Sequence, residues 1–210
     1  MRQYPQNGGD VALSETHTRY RIAFDIDDVL WDLNKCWLDE YNLYNTNGEH
    51  FSSEQVKSWA IENCLKPQNP NLFWAILSNK GTWSAIDKYI YNNTKELLKE
   101  LATNPHIDLY IVTASHPNNL TYKLPAFFRN FPFINWRQLI ICQDKTMLDM
   151  DLWVDDRPGL MEKLHTLGKK CAMVSKPWNN HCKAADWIFG ENFGVDEWKQ
   201  MCIGSRNIEV

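Results

Sequence analysis

The chain has 210 residues, a formal net charge of −4 and 23% charged residues, a balance that argues against a protein gripping long nucleic acid along a basic face. It is long enough for one α/β core with a smaller insertion and short for two full domains. Hydrophobic residues make up 44% of the chain, but no run of about eighteen apolar residues occurs, so no membrane span is expected.

Ten Trp, eight Tyr and nine Phe form an aromatic surplus that calls for flat apolar surface. The six cysteines, Cys36, Cys64, Cys142, Cys171, Cys182 and Cys202, are scattered, form no C-x-x-C and have no His or second Cys at ligand spacing. They read as small hydrophobes in a reducing compartment, and with no secretory segment the expected location is the cytoplasm.

Residues 1–18 carry Gly8-Gly9 and a polar stretch without periodicity and read as a flexible tail. Tyr20-Arg21-Ile22-Ala23-Phe24-Asp25-Ile26-Asp27 then alternates as a first strand that ends abruptly in acid. Residues 31–83 are polar and aromatic by turns, with Asn45-Thr46-Asn47-Gly48 as a turn and Pro67 and Pro70 as breakers, and are expected to form a mostly helical inserted cap. Ile86, Ile90, Leu97, Leu98 and Leu101 recur at helical spacing until Asn104-Pro105, and Ile107-Asp108-Leu109-Tyr110-Ile111-Val112-Thr113 follows as a strand. Further steps are a helix at 122–129, strands at 138–142 and 152–154, a helix at 160–167 ending at Gly168, and a strand at 171–174. This alternation predicts a doubly wound parallel α/β sheet with helices on both faces. The core would comprise residues 19–30 and 84–203, with 204–210 as a tail and an active crevice at the strands' carboxyl ends.

Polar residues fall at four of those ends or just beyond: Asp25 and Asp27, Thr113, Lys145, and Asp155 with Asp156. Spacing of two places the Asp25 and Asp27 carboxylates on one side of an extended strand end, where they repel unless a cation joins them. An ion between Asp25, the carbonyl region of Asp27 and the pair Asp155-Asp156 would remove that repulsion, and an all-oxygen set suits Mg²⁺ rather than zinc. A calcium loop does not fit, because Leu30 and Cys36 stand where such a loop needs Gly and Glu. Taken alone, Asp-x-Asp reads equally as a turn or cap, and Asp155-Asp156 before Arg157-Pro158-Gly159 as a helix cap. The loop Ala114-Ser115-His116-Pro117 after Thr113 can offer backbone N–H groups to phosphate oxygens, and Lys145 can neutralise their charge. His116 and His181 read as surface histidines. The chain lacks a two-Gly phosphate loop and an H-E-x-x-H site, which argues against kinases and zinc proteases.

Jointly, Phe24-Asp25-Ile26-Asp27-Asp28-Val29-Leu30, Ile111-Val112-Thr113-Ala114-Ser115, Lys145 and Leu152-Trp153-Val154-Asp155-Asp156-Arg157 resemble the four ordered motifs of the haloacid-dehalogenase superfamily of phosphohydrolases. Asp144-Lys145-Thr146 followed by Asp151-Leu152-Trp153-Val154-Asp155-Asp156-Arg157-Pro158 is similar to the 5′(3′)-deoxyribonucleotidases and their bacterial and viral relatives. The resemblance spans residues 21–179 and is loose in the cap. It implies Asp25 as nucleophile, Asp27 as general acid and base, Thr113, Ala114 and Lys145 at the phosphate, and Mg²⁺ held by Asp25, Asp27, Asp155 and Asp156, with Asp156 favoured as direct ligand. Ala114 departs from the Ser of the mitochondrial and cytosolic enzymes, so a hydroxyl is lost or replaced by Ser115.

The cap aromatics Trp31, Phe51, Trp59, Phe73, Trp74 and Trp83 are candidates for a platform against which a base stacks, and the resemblance points most to Phe73 and Trp74. The implied activity is phosphomonoester hydrolysis through an aspartyl-phosphate, on a nucleoside monophosphate as small-molecule partner. Alternatives are a polynucleotide 3′-phosphatase, another small-molecule phosphatase of the superfamily, or a phosphate- or metal-binding module without catalysis. Lys176-Pro177-Trp178-Asn179 resembles a segment of bacterial members, without a role that the residues reveal. The oligomeric state is open, with a homodimer one option.

Overall fold

The computed structural model describes residues 19–204, with side chains through Met201; residues 1–18, the Cys202 side chain and residues 205–210 lie outside what it describes. Five strands were expected, and each is present: β1 (Tyr20–Phe24), β2 (Ile107–Thr113), β3 (Leu139–Ile141), β4 (Leu152–Asp155) and β5 (Lys170–Val174). A further strand, β6 (Trp187–Phe189), completes a six-stranded parallel sheet among the described residues, in the order β3-β2-β1-β4-β5-β6. β1 lies between β2 and β4, where the winding reverses, and in such sheets this switch point opens the crevice at the carboxyl edge.

The pleat sorts the sheet's side chains onto two faces. Ile22, Phe24, Ile111, Val154 and Val174 join one buried cluster, and the alternate residues Ala23, Val112, Trp153 and Met173 join another. The first face is covered by α4 (Thr94–Thr103), α5 (Pro117–Asn130) and α7 (Val195–Gly204) through Leu97, Leu98, Leu101, Phe127 and Trp198, and the second by α6 (Pro158–Thr166) through Leu160, Met161 and Leu164. Both faces buried is why these strands read as apolar runs.

Three elements differ from expectation. β1 ends at Phe24 rather than Asp27, although the Asp25 N–H still reaches the Val154 carbonyl at 2.9 Å. The single helix read from Ile86 to Leu101 is interrupted: residues 86–89 form a 3₁₀ turn, Ile90 bridges to Trp31, and Tyr91 N–H donates to the Leu30 carbonyl before α4 begins. The periodicity survives the break because both pieces bury Ile86 and Leu97 against one cluster. The helix read around Tyr122 starts earlier, at Pro117.

Residues 33–89 hold α1 (Leu33–Tyr44), α2 (Pro70–Ala75), α3 (Lys80–Ala85) and short 3₁₀ turns. Asp32 caps α1 by accepting from Lys35 N–H, and Asn69 caps α2 from Leu72 N–H with Pro70 at the first position. A third apolar cluster runs from Trp37 to Ile76 and takes in Trp178, whereas Trp31, Cys36 and Trp83 pack with the sheet.

Candidate active site

Beyond β1 the chain reverses tightly. Val29 and Leu30 N–H return to the Ile26 carbonyl, and Asp28 takes a left-handed φ of 58°, a strain that Asp tolerates better than most residues. Asp28 is fixed there by Asn34, whose backbone N–H and side-chain amide donate to its two oxygens at 3.2 and 2.9 Å. This turn leaves Asp25 over the end of the sheet and swings Asp27 toward α5.

Asp25, Asp155 and Asp156 converge from β1 and β4, each offering a carboxylate oxygen within 4.8 Å of the others. Lys145, in a 3₁₀ turn after β3, donates to Asp25 Oδ1 at 2.7 Å and to Asp155 Oδ2 at 2.6 Å. Arg157 N–H occupies Asp155 Oδ1 at 2.9 Å. Asp156 Oδ2 accepts the Trp178 indole N–H at 2.8 Å, and the hydrogen bonds among the described residues leave its Oδ1 open.

The electrostatics show a deficit of positive charge. Burial works against the Lys145 ammonium, but the Asp155 and Asp25 carboxylates outweigh it and push its pKa up, so Lys145 stays charged. Burial raises Asp155, with Lys145 opposing. Asp156 is pushed well above the usual carboxylate range by burial and then by Asp155, Asp28 and Asp25, and burial does the same to Asp28 against Lys176. Within the group of Asp25, Asp155 and Asp156, Lys145 is the ammonium that bonds directly, and one positive charge does not offset three carboxylates. A set of hard oxygens with an open Oδ1 and uncompensated charge fits a small divalent cation.

Asp27 lines the same crevice but its side chain stands outside the acidic group. Its Oδ2 accepts from Lys123 Nζ at 2.5 Å and its Oδ1 from the Trp31 indole at 3.0 Å. Lys123, fully buried on α5, also donates to Thr113 Oγ1 at 2.7 Å, tying the ends of β1 and β2 together. Sequence reading missed Lys123, because a Lys in an amphipathic helix ordinarily points to solvent. Ala114 lines the crevice, whereas Ser115 is buried and its carbonyl accepts from Gln143.

The rings expected to form a base platform are not gathered at the crevice. Trp31 is fully buried between Trp83 and Phe127, so its ring has no free face for a base and its polar edge serves Asp27 instead. Phe73 is 1% exposed inside the cap cluster, 4.4 Å from Trp37 and 5.2 Å from Tyr41. Trp74 is half exposed but lines a separate hollow of about 250 Å³ with Glu62, Leu65 and Lys66. The cap ring that reaches the crevice is Trp59, half exposed, with the Arg157 guanidinium 4.1 Å from its ring centre. The crevice beneath measures about 90 Å³. Sites that enclose a whole small molecule run to roughly 300–1,000 Å³, so this crevice is too small to enclose one.

Solved structures of low identity share the fold. A haloacid dehalogenase-like protein of Agrobacterium tumefaciens covers 89% of this chain and 99% of its own at a TM-score of 0.57 and 14% identity. A haloacid dehalogenase-like hydrolase of Streptococcus pneumoniae covers 88% and 99% at 0.56 and 13%. Among curated relatives, a protein of Clostridium acetobutylicum named 5′(3′)-deoxyribonucleotidase is 28% identical over 170 residues, 79% of this chain and 89% of the relative. One of the same name from Bacillus subtilis is 27% identical over 140 residues, 64% and 74% of the two chains. Residues 19–200 match the family model described as "5' nucleotidase, deoxy (Pyrimidine), cytosolic type C protein". The chain thus shares the fold of the haloacid dehalogenase-like structures, is a phosphoric monoester hydrolase and belongs to this 5′-nucleotidase family.

Proposed function

We propose that the protein is a Mg²⁺-dependent nucleotidase that removes phosphate from nucleoside monophosphates through an aspartyl-phosphate on Asp25. The observation that carries this reading is the convergence of Asp25, Asp155 and Asp156 around Lys145 at the switch point of the sheet, with Asp27 in the same crevice. The names of the curated relatives support the substrate class.

Asp25 attacks phosphorus in line while the bond to the ester oxygen breaks; Asp27 enters this step protonated, gives that proton to the leaving oxygen and is left as the carboxylate paired with Lys123. Water then attacks the aspartyl-phosphate, Asp27 takes the water's proton, and the bond to Asp25 breaks to release phosphate. Lys123 holds the Asp27 carboxylate at the leaving-group side, and the same ammonium ties Thr113 to it. Lys145 keeps Asp25 aimed and balances charge that develops on the phosphoryl group. Asp25 and Asp156 would hold Mg²⁺, with Asp155 occupied by Lys145 and Arg157 and Asp27 contributing through its carbonyl, since its side chain is engaged. When bound, the ion supplies charge screening between nucleophile and phosphate.

Residues 37–76 act as the cap that sets specificity, and Trp59 with Arg157 frames the mouth where the base sits. The narrow crevice favours a mononucleotide over a strand end. Phosphate release from nucleoside 5′- and 3′-monophosphates, a 3′-phosphorylated oligonucleotide and sugar phosphates, with Mg²⁺ or EDTA, tests the reading. Activity centred on mononucleotides and lost in EDTA is expected; preference for the oligonucleotide or a sugar phosphate overturns the substrate assignment.

A further inference from the structure

Lys176-Pro177-Trp178-Asn179, just beyond β5, has no part in the chemistry above, yet Lys176 is 3%, Trp178 5% and Asn179 0% exposed. Asn179 pins the segment: its amide donates to the carbonyls of Val174 and Asp156, both at 2.8 Å, and its Oδ1 accepts the Lys176 N–H at 2.8 Å. Lys176 Nζ is in turn held by the Tyr91 hydroxyl and by Glu191. The segment is therefore anchored to the end of β4 as well as to β5.

Trp178 joins two parts of the molecule. Its ring packs in the cap cluster with Trp37, Leu38, Tyr41 and Phe73, while its indole N–H donates to Asp156 Oδ2. Few side chains can do both, because the task needs a large apolar ring with one donor on its edge. With Oδ2 held, the carboxylate plane of Asp156 is fixed and Oδ1 remains for an ion.

We propose that Trp178 is the positioning residue of the metal centre: it converts the packing of the cap into the orientation of the Asp156 carboxylate. The inference rests on the Mg²⁺ reading above. A partner that orients a metal-bound carboxylate typically changes metal affinity by about 10- to 100-fold. By reciprocity, whatever a seated cap adds to ion affinity, the ion adds to cap seating.

The test is calorimetric titration of Mg²⁺ into the full chain without nucleotide, for the wild type and for Trp178→Phe, which keeps an aromatic ring in the cluster and removes the donor. Mg²⁺ affinity should fall by about 10- to 100-fold, with turnover recovered at saturating Mg²⁺ and KM for nucleotide unchanged. Equal affinity in the two proteins overturns the inference and leaves the metal reading standing, whereas a wild type that does not bind Mg²⁺ overturns both. Should the variant not fold, the wild-type indole N–H resonance of Trp178 is followed instead. It should shift saturably with Mg²⁺ while that of Trp136, exposed and outside the cluster, stays still, and an unmoved Trp178 signal refutes the proposal.

Discussion

Replacing Lys123 by Met removes one ammonium that holds two polar side chains, Asp27 and Thr113. Lys123 is fully buried, and its Nζ holds Asp27 Oδ2 at 2.5 Å and Thr113 Oγ1 at 2.7 Å. Met fills most of the same volume, so the loss is one of charge and hydrogen bonding more than of packing. Deleting one partner of a fully buried pair costs about 3–5 kcal/mol. Asp27 keeps 23% of its side chain exposed, so water solvates part of the abandoned charge, and the cost falls to about 2–3 kcal/mol. For a chain of this length that is roughly 4–12 °C in Tm. Turnover should fall further than stability suggests. Full loss of a general acid/base costs about 10²–10⁴-fold, and Lys123→Met, which unseats the carboxylate without removing it, should lower kcat by at least about 10-fold but less than Asp27→Asn. Thermal melts beside steady-state kinetics on a nucleoside monophosphate at saturating Mg²⁺ read both quantities. A Tm loss with unchanged kcat would make Lys123 a packing residue only, and no change in either would refute the buried Lys123–Asp27 pairing.

Trp59→Ala should raise KM for a mononucleotide by roughly 5- to 150-fold, the equivalent of about 1–3 kcal/mol of base stacking, and leave Tm nearly unmoved because the ring is half exposed. Phe73→Ala should do the opposite: it removes a ring packed against Trp37 and Tyr41 and should cost about 3–5 kcal/mol of stability, seen in the melt rather than in base preference. If Phe73→Ala changed base preference at full stability, the placement of the platform would be wrong. The pH dependence of stability should invert with the ion. Asp28 and Asp156 have folded pKa values raised above those of the unfolded chain, so in EDTA their stabilising contribution is present below about pH 4 and lost as pH rises through the raised values. A cation that requires Asp156 ionised acts in the other direction, and the Tm difference between Mg²⁺ and EDTA should widen from about pH 5 to about pH 8. A constant difference would contradict the site.

The core was legible because its strands are buried on both faces and read as apolar runs ending in polar residues. Tyr20–Phe24, Ile107–Thr113 and Leu152–Asp155 each end beside the crevice, and that ordering in sequence already puts Asp25, Thr113 and Asp155 at one edge. β6, three residues long with Ile188 exposed, and α7 beyond it carried no comparable signal. The cap was the hardest part. Trp31, Phe73 and Trp59 are the same kind of residue in sequence, and only tertiary packing makes the first a support for Asp27, the second a cap interior and the third a wall of the crevice. Lys123 and Trp178 act across 96 and 22 residues of sequence, contacts that local pattern does not encode.

The claim that Asp25 is phosphorylated is tested most directly by the stereochemical course at phosphorus. A nucleoside monophosphate analogue with an isotopically chiral thiophosphoryl group is turned over in isotopically labelled water, and the configuration of the released thiophosphate is read. Attack by Asp25 followed by attack of water inverts phosphorus twice, so net retention is expected. Net inversion would mean that water displaces the nucleoside in one step, and Asp25 would then not be the nucleophile.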